Sequence, residues 1–254
     1  TAPIVVSMHD ENVIYHGGNV LLRSRDRGQS WAPASGDLTK NDKSRQGWGG
    51  GPITNEGAGG EVYGTIFVIE ESPHDAKTMY VGTDDGNVQL TKDGGATWTN
   101  VTPPTAGDGL VNELEVSPHD PGTVYVAYRK DRVGDPAPYI YRSTDFGKTW
   151  TTLVNGLRAG EPVRVVREDP ERKGLMYAGT ETTVYISYDG GARWQLFAGN
   201  LPVVPVTDLE VRRYDLLHDG PVPSAPTMVA NLLRPLLLRI AADGFTGEAP
   251  DALV

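Results

Sequence analysis

Four times along the chain, a short run of alternating apolar and polar residues ends in a polar turn. These runs are IVVSMHDEN from Ile4, IEESPHDAK from Ile69, LEVSPHDPG from Leu114 and VREDPERK from Val166. Each is followed by a second apolar run with a tyrosine: VIYHGG, TMYVGT, TVYVAY and LMYAGT. A third run comes next, VLLRS, VQLT, YIYRS or VYIS, and a fourth begins at a tryptophan, as WAPAS, WTNVT, WTTLV or WQLFA. Alternation at period two, broken by Gly, Pro, Asn and Asp, predicts strands joined by tight turns. Four such strands in succession predict one antiparallel sheet, and the pattern predicts four of them.

Between the third and fourth runs stands one eight-residue phrase. It reads SRDRGQSW at Ser24–Trp31, TKDGGATW at Thr91–Trp98, STDFGKTW at Ser143–Trp150 and SYDGGARW at Ser187–Trp194. The spacing shortens along the chain, and the last interval approaches the ~40–45-residue period of a four-stranded propeller blade. Longer intervals imply insertions, one over residues 36–64 and one over Arg129–Pro138. The predicted fold is an all-β propeller array of about four four-stranded blades over residues 1–215, incomplete or open. A fifth unit starts, since TDLEVRRYD at Thr207–Asp215 matches NELEVSPHD at Asn112–Asp120. It then fails, because LLHDGPVPSAP replaces the tyrosine strand. Residues 216–254 are predicted to be an irregular, partly helical tail, with a short helix over Thr227–Asp243 interrupted at Pro235.

Within the phrase, Asp26, Asp93, Asp145 and Asp189 are placed to accept hydrogen bonds from turn amides, helped by the Ser or Thr two residues before. Gly28, Gly95, Gly147 and Gly191 supply a positive φ. Trp31, Trp98, Trp150 and Trp194 are expected to point inward and pack between sheets. Repetition argues against catalysis by these aspartates, because one active site does not draw the same position from every repeat. The oxygen-ligand spacing of a calcium loop is missing too. His9, His74 and His119 share one turn position, and Tyr15, Tyr80, Tyr125 and Tyr177 share one strand position. Both sets are expected to be scaffold.

Composition narrows the function. Gly (31) and Pro (19) suit a turn-rich β protein. The net charge of −10 and the lack of any basic run argue against nucleic acid as a partner. The chain has no cysteine, so it has neither disulfides nor a thiolate site. No apolar run reaches the ~18 residues of a membrane span, so no membrane insertion is expected. No signal peptide is visible, and TAPIVVS at the start is already strand-like. No metal or cofactor is expected.

The four phrases in their blade context resemble the Asp-box, or bacterial neuraminidase repeat. That repeat occurs in sialidases, xyloglucan-degrading glycosidases, sortilin-type receptors and photosystem II assembly factors. GGPIT (Gly50–Thr54), SPHDPGTVYVA (Ser117–Ala127), VRVVREDP (Val163–Pro170), YAGTETTVYIS (Tyr177–Ser187) and NLPVVPVTDLEV (Asn200–Val211) are similar to a narrower group. These are the large bacterial sortilin-like, glycosyl-hydrolase-like repeat proteins. The resemblance implies a propeller with more blades than are present here, in an extracellular or periplasmic setting. The family pattern continues past Asp215 with a strand ending in Gly-Arg and a Trp-rich turn, which this chain lacks. The expected form is therefore an open arc, its ends covered by the remainder of a propeller, by the tail or by another chain. The RIP-type motif expected of sialidases is absent, and Arg23, Arg25 and Arg27 surround an Asp turn, so sialidase activity is not expected.

Non-repeated polar residues are the candidates for function. Trp48 is the one tryptophan outside the phrases and sits in a Gly-rich insertion with Asn55, Glu56, Glu61 and Tyr63. An aromatic ring beside carboxylates and amides suits stacking on a sugar; the alternative is an insertion that caps the sheet. Glu113 and Asp208 hold equivalent positions at the inner strands, with Glu161 near the corresponding place in the fourth blade. Paired carboxylates ~5–10 Å apart are what glycoside hydrolysis requires; the alternative is a solvated acidic rim. Two functions follow. One is a non-catalytic propeller binding a protein, peptide or carbohydrate on its axial loops. The other is a glycoside hydrolase acting on a polysaccharide.

Overall fold

The computed structural model describes residues 2–47, 63–197 and 201–213, and the strand segments 236–242 and 245–248. The described residues form four four-stranded antiparallel sheets, each a simple meander. Blade 1 comprises β1 (Ile4–Val6), β2 (Ile14–Gly17), β3 (Val20–Ser24) and β4 (Ala32–Asp37). Blade 2 comprises β5 (Ile66–Glu71), β6 (Met79–Thr83), β7 (Val88–Thr91) and β8 (Thr99–Asn100). Blade 3 comprises β9 (Leu110–Val116), β10 (Val124–Lys130), β11 (Asp135–Ser143) and β12 (Thr151–Thr152). Blade 4 comprises β13 (Val163–Glu168), β14 (Met176–Thr180), β15 (Val184–Ser187) and β16 (Gln195–Leu196). These are the strands that the alternation predicts. The Arg129–Pro138 insertion is a lengthened hairpin, in which β10 and β11 continue pairing to Lys130 and Asp135.

The tail departs from expectation. Leu236–Ala242 is not part of a helix. It is a strand, β18, paired along β17 (Val206–Arg213), with β19 (Phe245–Glu248) on its other side. A short apolar run is ambiguous between helix and buried strand. Here the unpaired edge of β17 decides it, because backbone groups on a sheet edge need partners. The fifth unit thus begins a blade and reaches three strands among the described residues.

Each hydrophobic core lies between two successive sheets. Tyr80, Val88 and Val101 of blade 2 pack with Val111, Leu114 and Val126 of blade 3. Tyr125, Ile140 and Leu153 of blade 3 pack with Val166, Met176 and Trp194 of blade 4. Close approach requires a small residue two positions after the repeated tyrosine. A Cβ on Gly82 would stand 2.3 Å from Val111 Cγ1, and one on Gly179 would stand 2.6 Å from Val206 Cγ1.

The repeated phrase is a turn closed by its own side chains. Ser24 Oγ donates to Asp26 Oδ1 (2.7 Å) and accepts the Gly28 amide (2.8 Å). Asp26 also accepts the Ser30 amide (2.8 Å) and hydroxyl (2.6 Å). Asp93 and Asp145 repeat the set with Thr97 and Thr149. At Asp189 the seventh position is Arg193, and only its amide is donated. These bonds hold Asp26, Asp93 and Asp145 at about 2, below the usual carboxylate value.

The tryptophans fasten each blade to the one before it. The indole Nε1 of Trp98 donates to Ala34 O (3.1 Å), that of Trp150 to Val101 O (2.9 Å) and that of Trp194 to Leu153 O (2.8 Å). The histidines fasten forward. His9 Nε2 bonds Ser72 O (2.8 Å), His74 bonds Ser117 O (2.9 Å) and His119 bonds Asp169 O (2.7 Å). Trp31 corrects the expectation that all four indoles are buried. It is 41% exposed and donates to Gly28 O of its own turn. Among the described residues no sheet precedes blade 1 to receive it, and Ile4 and Val6 on β1 are exposed with it. Trp194→Phe is expected to cost about 1–3 kcal/mol in urea unfolding, because Leu153 O loses its donor in a buried site. Trp31→Phe is expected to stay within about 0.5 kcal/mol.

Candidate functional site

The repeated tyrosines serve as a ruler along the inner strands. Tyr15 pairs with Val5, Tyr80 with Glu70, Tyr125 with Glu115 and Tyr177 with Arg167. One position in successive blades therefore carries Val, Glu, Glu and Arg. From each of the last three, the side chain reaches the backbone of the following inner strand. Glu70 accepts the Val116 amide, and Glu115 accepts the Glu168 amide (3.3 Å). Arg167 Nε donates to Leu209 O (2.9 Å).

Arg167 gathers the carboxylates. Its Nη1 lies 3.1 Å from Glu113 Oε1 and 3.3 Å from Glu115 Oε2, and its Nη2 lies 3.0 Å from Asp208 Oδ1. Glu113, Glu115 and Arg167 are largely buried, whereas the Asp208 side chain is 58% exposed. Two of the sequence candidates, Glu113 and Asp208, are thus brought together on one guanidinium. Burial pushes Glu115 up to about 7, against the pull of Arg167. Glu70 rises well above its usual value through burial and then the Glu115 charge. Glu113 rises through burial, opposed by Arg167. Burial disfavours the Arg167 charge, but Glu113, Glu115 and Asp208 outweigh it and raise its pKa.

Glu161 does not join this cluster. It is 4% exposed and accepts Thr180 Oγ1 (2.9 Å), Tyr185 OH (2.9 Å) and the Thr182 hydroxyl, all within blade 4. A second network lies at the N-terminal ends of the inner strands. Arg164 grips Glu181 with two bonds of 2.9 Å, and Arg129 reaches Glu181 (3.0 Å) and Asp131 (2.8 Å). Asn112 donates to Arg164 O beside it.

The insertion between blades 1 and 2 leaves from this same end, and both its stems are pinned. The Lys40 amide donates to Asp85 (2.7 Å), and Lys40 Nζ and Arg45 Nη2 bind the two oxygens of Asp108 at 3.0 and 2.8 Å. On the return stem, the Gly64 and Thr65 amides donate to Asp84 Oδ1 at 3.0 and 2.7 Å. Tyr63 stands between the stems, with Gln46 Nε2 donating to its carbonyl (2.9 Å) and the Arg45 guanidinium 5.8 Å from its ring. Trp48, Asn55, Glu56 and Glu61 lie outside the described residues. Among the described residues, no cluster of His, Cys, Asp or Glu is placed to hold a metal ion. None of the described helices is long and apolar enough to cross a membrane.

Successive four-stranded meanders, stacked face to face and fastened by their turns, define an open β-propeller. The chain belongs to the Sortilin-Vps10 family (sortilin, neurotensin receptor 3), whose pattern matches residues 19–161. It is also similar to a xyloglucanase from Paenibacillus sp, at 27% identity over 187 residues, covering 67% of this chain and 16% of that protein. Among solved structures, an ancestral GH74 enzyme superposes with a TM-score of 0.60 at 17% identity, covering 97% of this chain and 30% of its own. The GH74 xyloglucanase of Xanthomonas campestris gives 0.55 at 19%, covering 76% of this chain and 29% of its own. These structural likenesses show the propeller fold. The chain spans under a third of each of these proteins.

The charge cluster makes stability depend on pH. A carboxyl raised in the folded state keeps a proton that the unfolded chain has lost. Its contribution is complete below the usual carboxylate pKa and is lost as pH rises through about 7 for Glu115. Glu115→Gln is therefore expected to flatten the fall in melting temperature between pH 5 and pH 8. Arg167→Leu is expected to cost about 3–5 kcal/mol at pH 8, with partial relief at pH 5. Thermal melts across that range check both.

Proposed function

We propose that the protein is a ligand-binding propeller without catalytic activity. It takes a protein, peptide or glycan on the axial face that carries the insertion between blades 1 and 2, in an extracellular or periplasmic setting. The observation that carries this reading is Arg167, held between Glu113 and Asp208 at 3.1 and 3.0 Å. Glycoside hydrolysis needs one carboxyl free to protonate the leaving oxygen and another facing the sugar ring, with the bond between them. Two carboxylates joined by one guanidinium instead form a structural bridge. The insertion supports the location of binding. Its stems are fixed by Asp84, Asp85 and Asp108, which present Tyr63 and Arg45 at the axial end.

A second reading, hydrolysis of a polysaccharide, is favoured by the likeness to a xyloglucanase and by the raised Glu113 and Glu115. In that reading the acid and base come from Glu113, Glu115 and Asp208, or from Glu56 and Glu61 in the insertion. Calorimetry with xyloglucan oligosaccharides, β-glucan fragments and a peptide library, run beside an assay for released reducing ends, separates the two. The expected result is binding without turnover. Tyr63→Ala or Trp48→Ala is expected to weaken binding roughly tenfold. Reducing ends released by the wild type and lost in Glu113→Gln or Asp208→Asn would establish the hydrolase.

A further inference from the structure

A cleft of about 730 Å³ opens between blades 1 and 2, at the opposite end of the sheets from the insertion. It lies among the turns that join first to second and third to fourth strands, bounded by Ser7–Asp10, Ala76–Lys77 and Gly94–Ala96. Its origin is a side-chain difference at one repeated position. The residue whose carbonyl receives the next blade's indole is Val101 between blades 2 and 3, and Leu153 between blades 3 and 4. Val101 fills the space beneath the Gly147 turn, and Leu153 fills it beneath Gly191. Between blades 1 and 2 the same position is Ala34. Its methyl group leaves unfilled the volume that Val and Leu occupy elsewhere.

The charges around this cleft are unequally committed. Glu71 accepts Ser7 Oγ (2.9 Å) and the Met8 amide (2.8 Å). Asp93 is held by Thr91 and Thr97, and Asp10 by Asn12. Arg23 Nη1 donates to Gly94 O (3.0 Å). Arg25 and Lys77 differ. Both are exposed at the mouth, and neither side chain has a hydrogen-bond or ion-pair partner among the described residues. Arg25 lies within electrostatic reach of Asp10 and Lys77 of Asp75, yet both keep their hydrogen-bond donors open beside a partly apolar cavity.

We propose that this cleft binds an organic carboxylate. The acid group is anchored by Arg25 and Lys77, and the apolar or ring-shaped body packs against Pro33, Ala34 and Trp98. The carboxylate supplies the acceptors that the two cations lack. The body fills the space left by Ala34. Trp98 contributes aromatic surface, because its N–H is already committed to Ala34 O. The site is independent of the axial face and does not rest on the binding reading given above.

The test is titration of the full chain, labelled with nitrogen-15, following the Trp98 indole resonance. Three probes are used: 3-phenylpropionate, its neutral amide, and glucuronate. 3-Phenylpropionate is expected to shift the Trp98 signal saturably, and its amide is expected to bind roughly tenfold more weakly. Arg25→Glu and Lys77→Glu are each expected to reduce affinity by about tenfold, and Ala34→Leu to abolish binding by filling the cleft. Tyr63→Ala is expected to leave it unchanged. Glucuronate binding with the same variant pattern would support the site and assign it to a sugar acid; 3-phenylpropionate binding alone would assign it to an acid on an apolar body. If neither acid moves the Trp98 signal, or the amide binds as well as the acid, the proposal is overturned. It is equally overturned if both charge reversals leave affinity unchanged, a result that stands even if Ala34→Leu fails to fold.

Discussion

The structure depends on one repeated hydrogen bond, from an indole N–H in one blade to a backbone carbonyl of the blade before it. A fourth strand only two residues long, as in β8, β12 and β16, buries little by itself. What fixes it is the tryptophan at its start, which inserts against the previous sheet and finds there the acceptor that its N–H requires. The aspartate turn exists to aim that ring. Asp93 gathers Thr91 and Thr97 into a rigid loop, and its glycine allows the loop to lie against the neighbouring strand. The histidine bonds run the other way and add a second tie per junction. Each junction is thus specified from both sides by residues that recur in the sequence.

That recurrence is why the architecture was legible. The strands of blades 1 to 4 follow from alternation and from the eight-residue phrase, and the positive φ of Gly28, Gly95, Gly147 and Gly191 follows from the turn. Three things were not legible. The exposure of Trp31 depends on what stands before blade 1, which no local pattern encodes. The seventh position of the phrase supplies a hydroxyl to the aspartate in three copies, which was visible only once the loop closed in space. The strand at Leu236–Ala242 was hidden because an apolar run carries no period of its own.

The candidate site was half legible. Glu113 and Asp208 stand out by equivalence between repeats, and each binds a separate nitrogen of Arg167. What joins them, Arg167, was missed, as were Glu70 and Glu115. Position opposite the tyrosine was the available signal, since it reads Val5, Glu70, Glu115 and Arg167 in turn. Equivalence failed for Glu161, because proximity in sequence to an inner strand does not fix direction. Its carboxylate turns into its own blade toward Thr180 and Tyr185. Tyr80 shows the same logic in reverse. Tyr15 faces Glu71 and Tyr125 faces Glu168 of the following inner strand, but the matching residue in the strand after Tyr80 is Val116, and the Tyr80 hydroxyl is left without a partner.

Repeat arrays usually unfold by nearest-neighbour rules, with each unit held only by those beside it. Arg167 serves both of its neighbours at once: its guanidinium stands in blade 4 and grips Glu113 of blade 3 and Asp208 of the following strand. Blades 3, 4 and the fifth inner strand are therefore coupled as one cooperative unit. The junction of blade 1 with blade 2 is thinned by Ala34 and, among the described residues, is crossed by no such cation. That junction is expected to open before the Arg167 unit does, and amide exchange would show it.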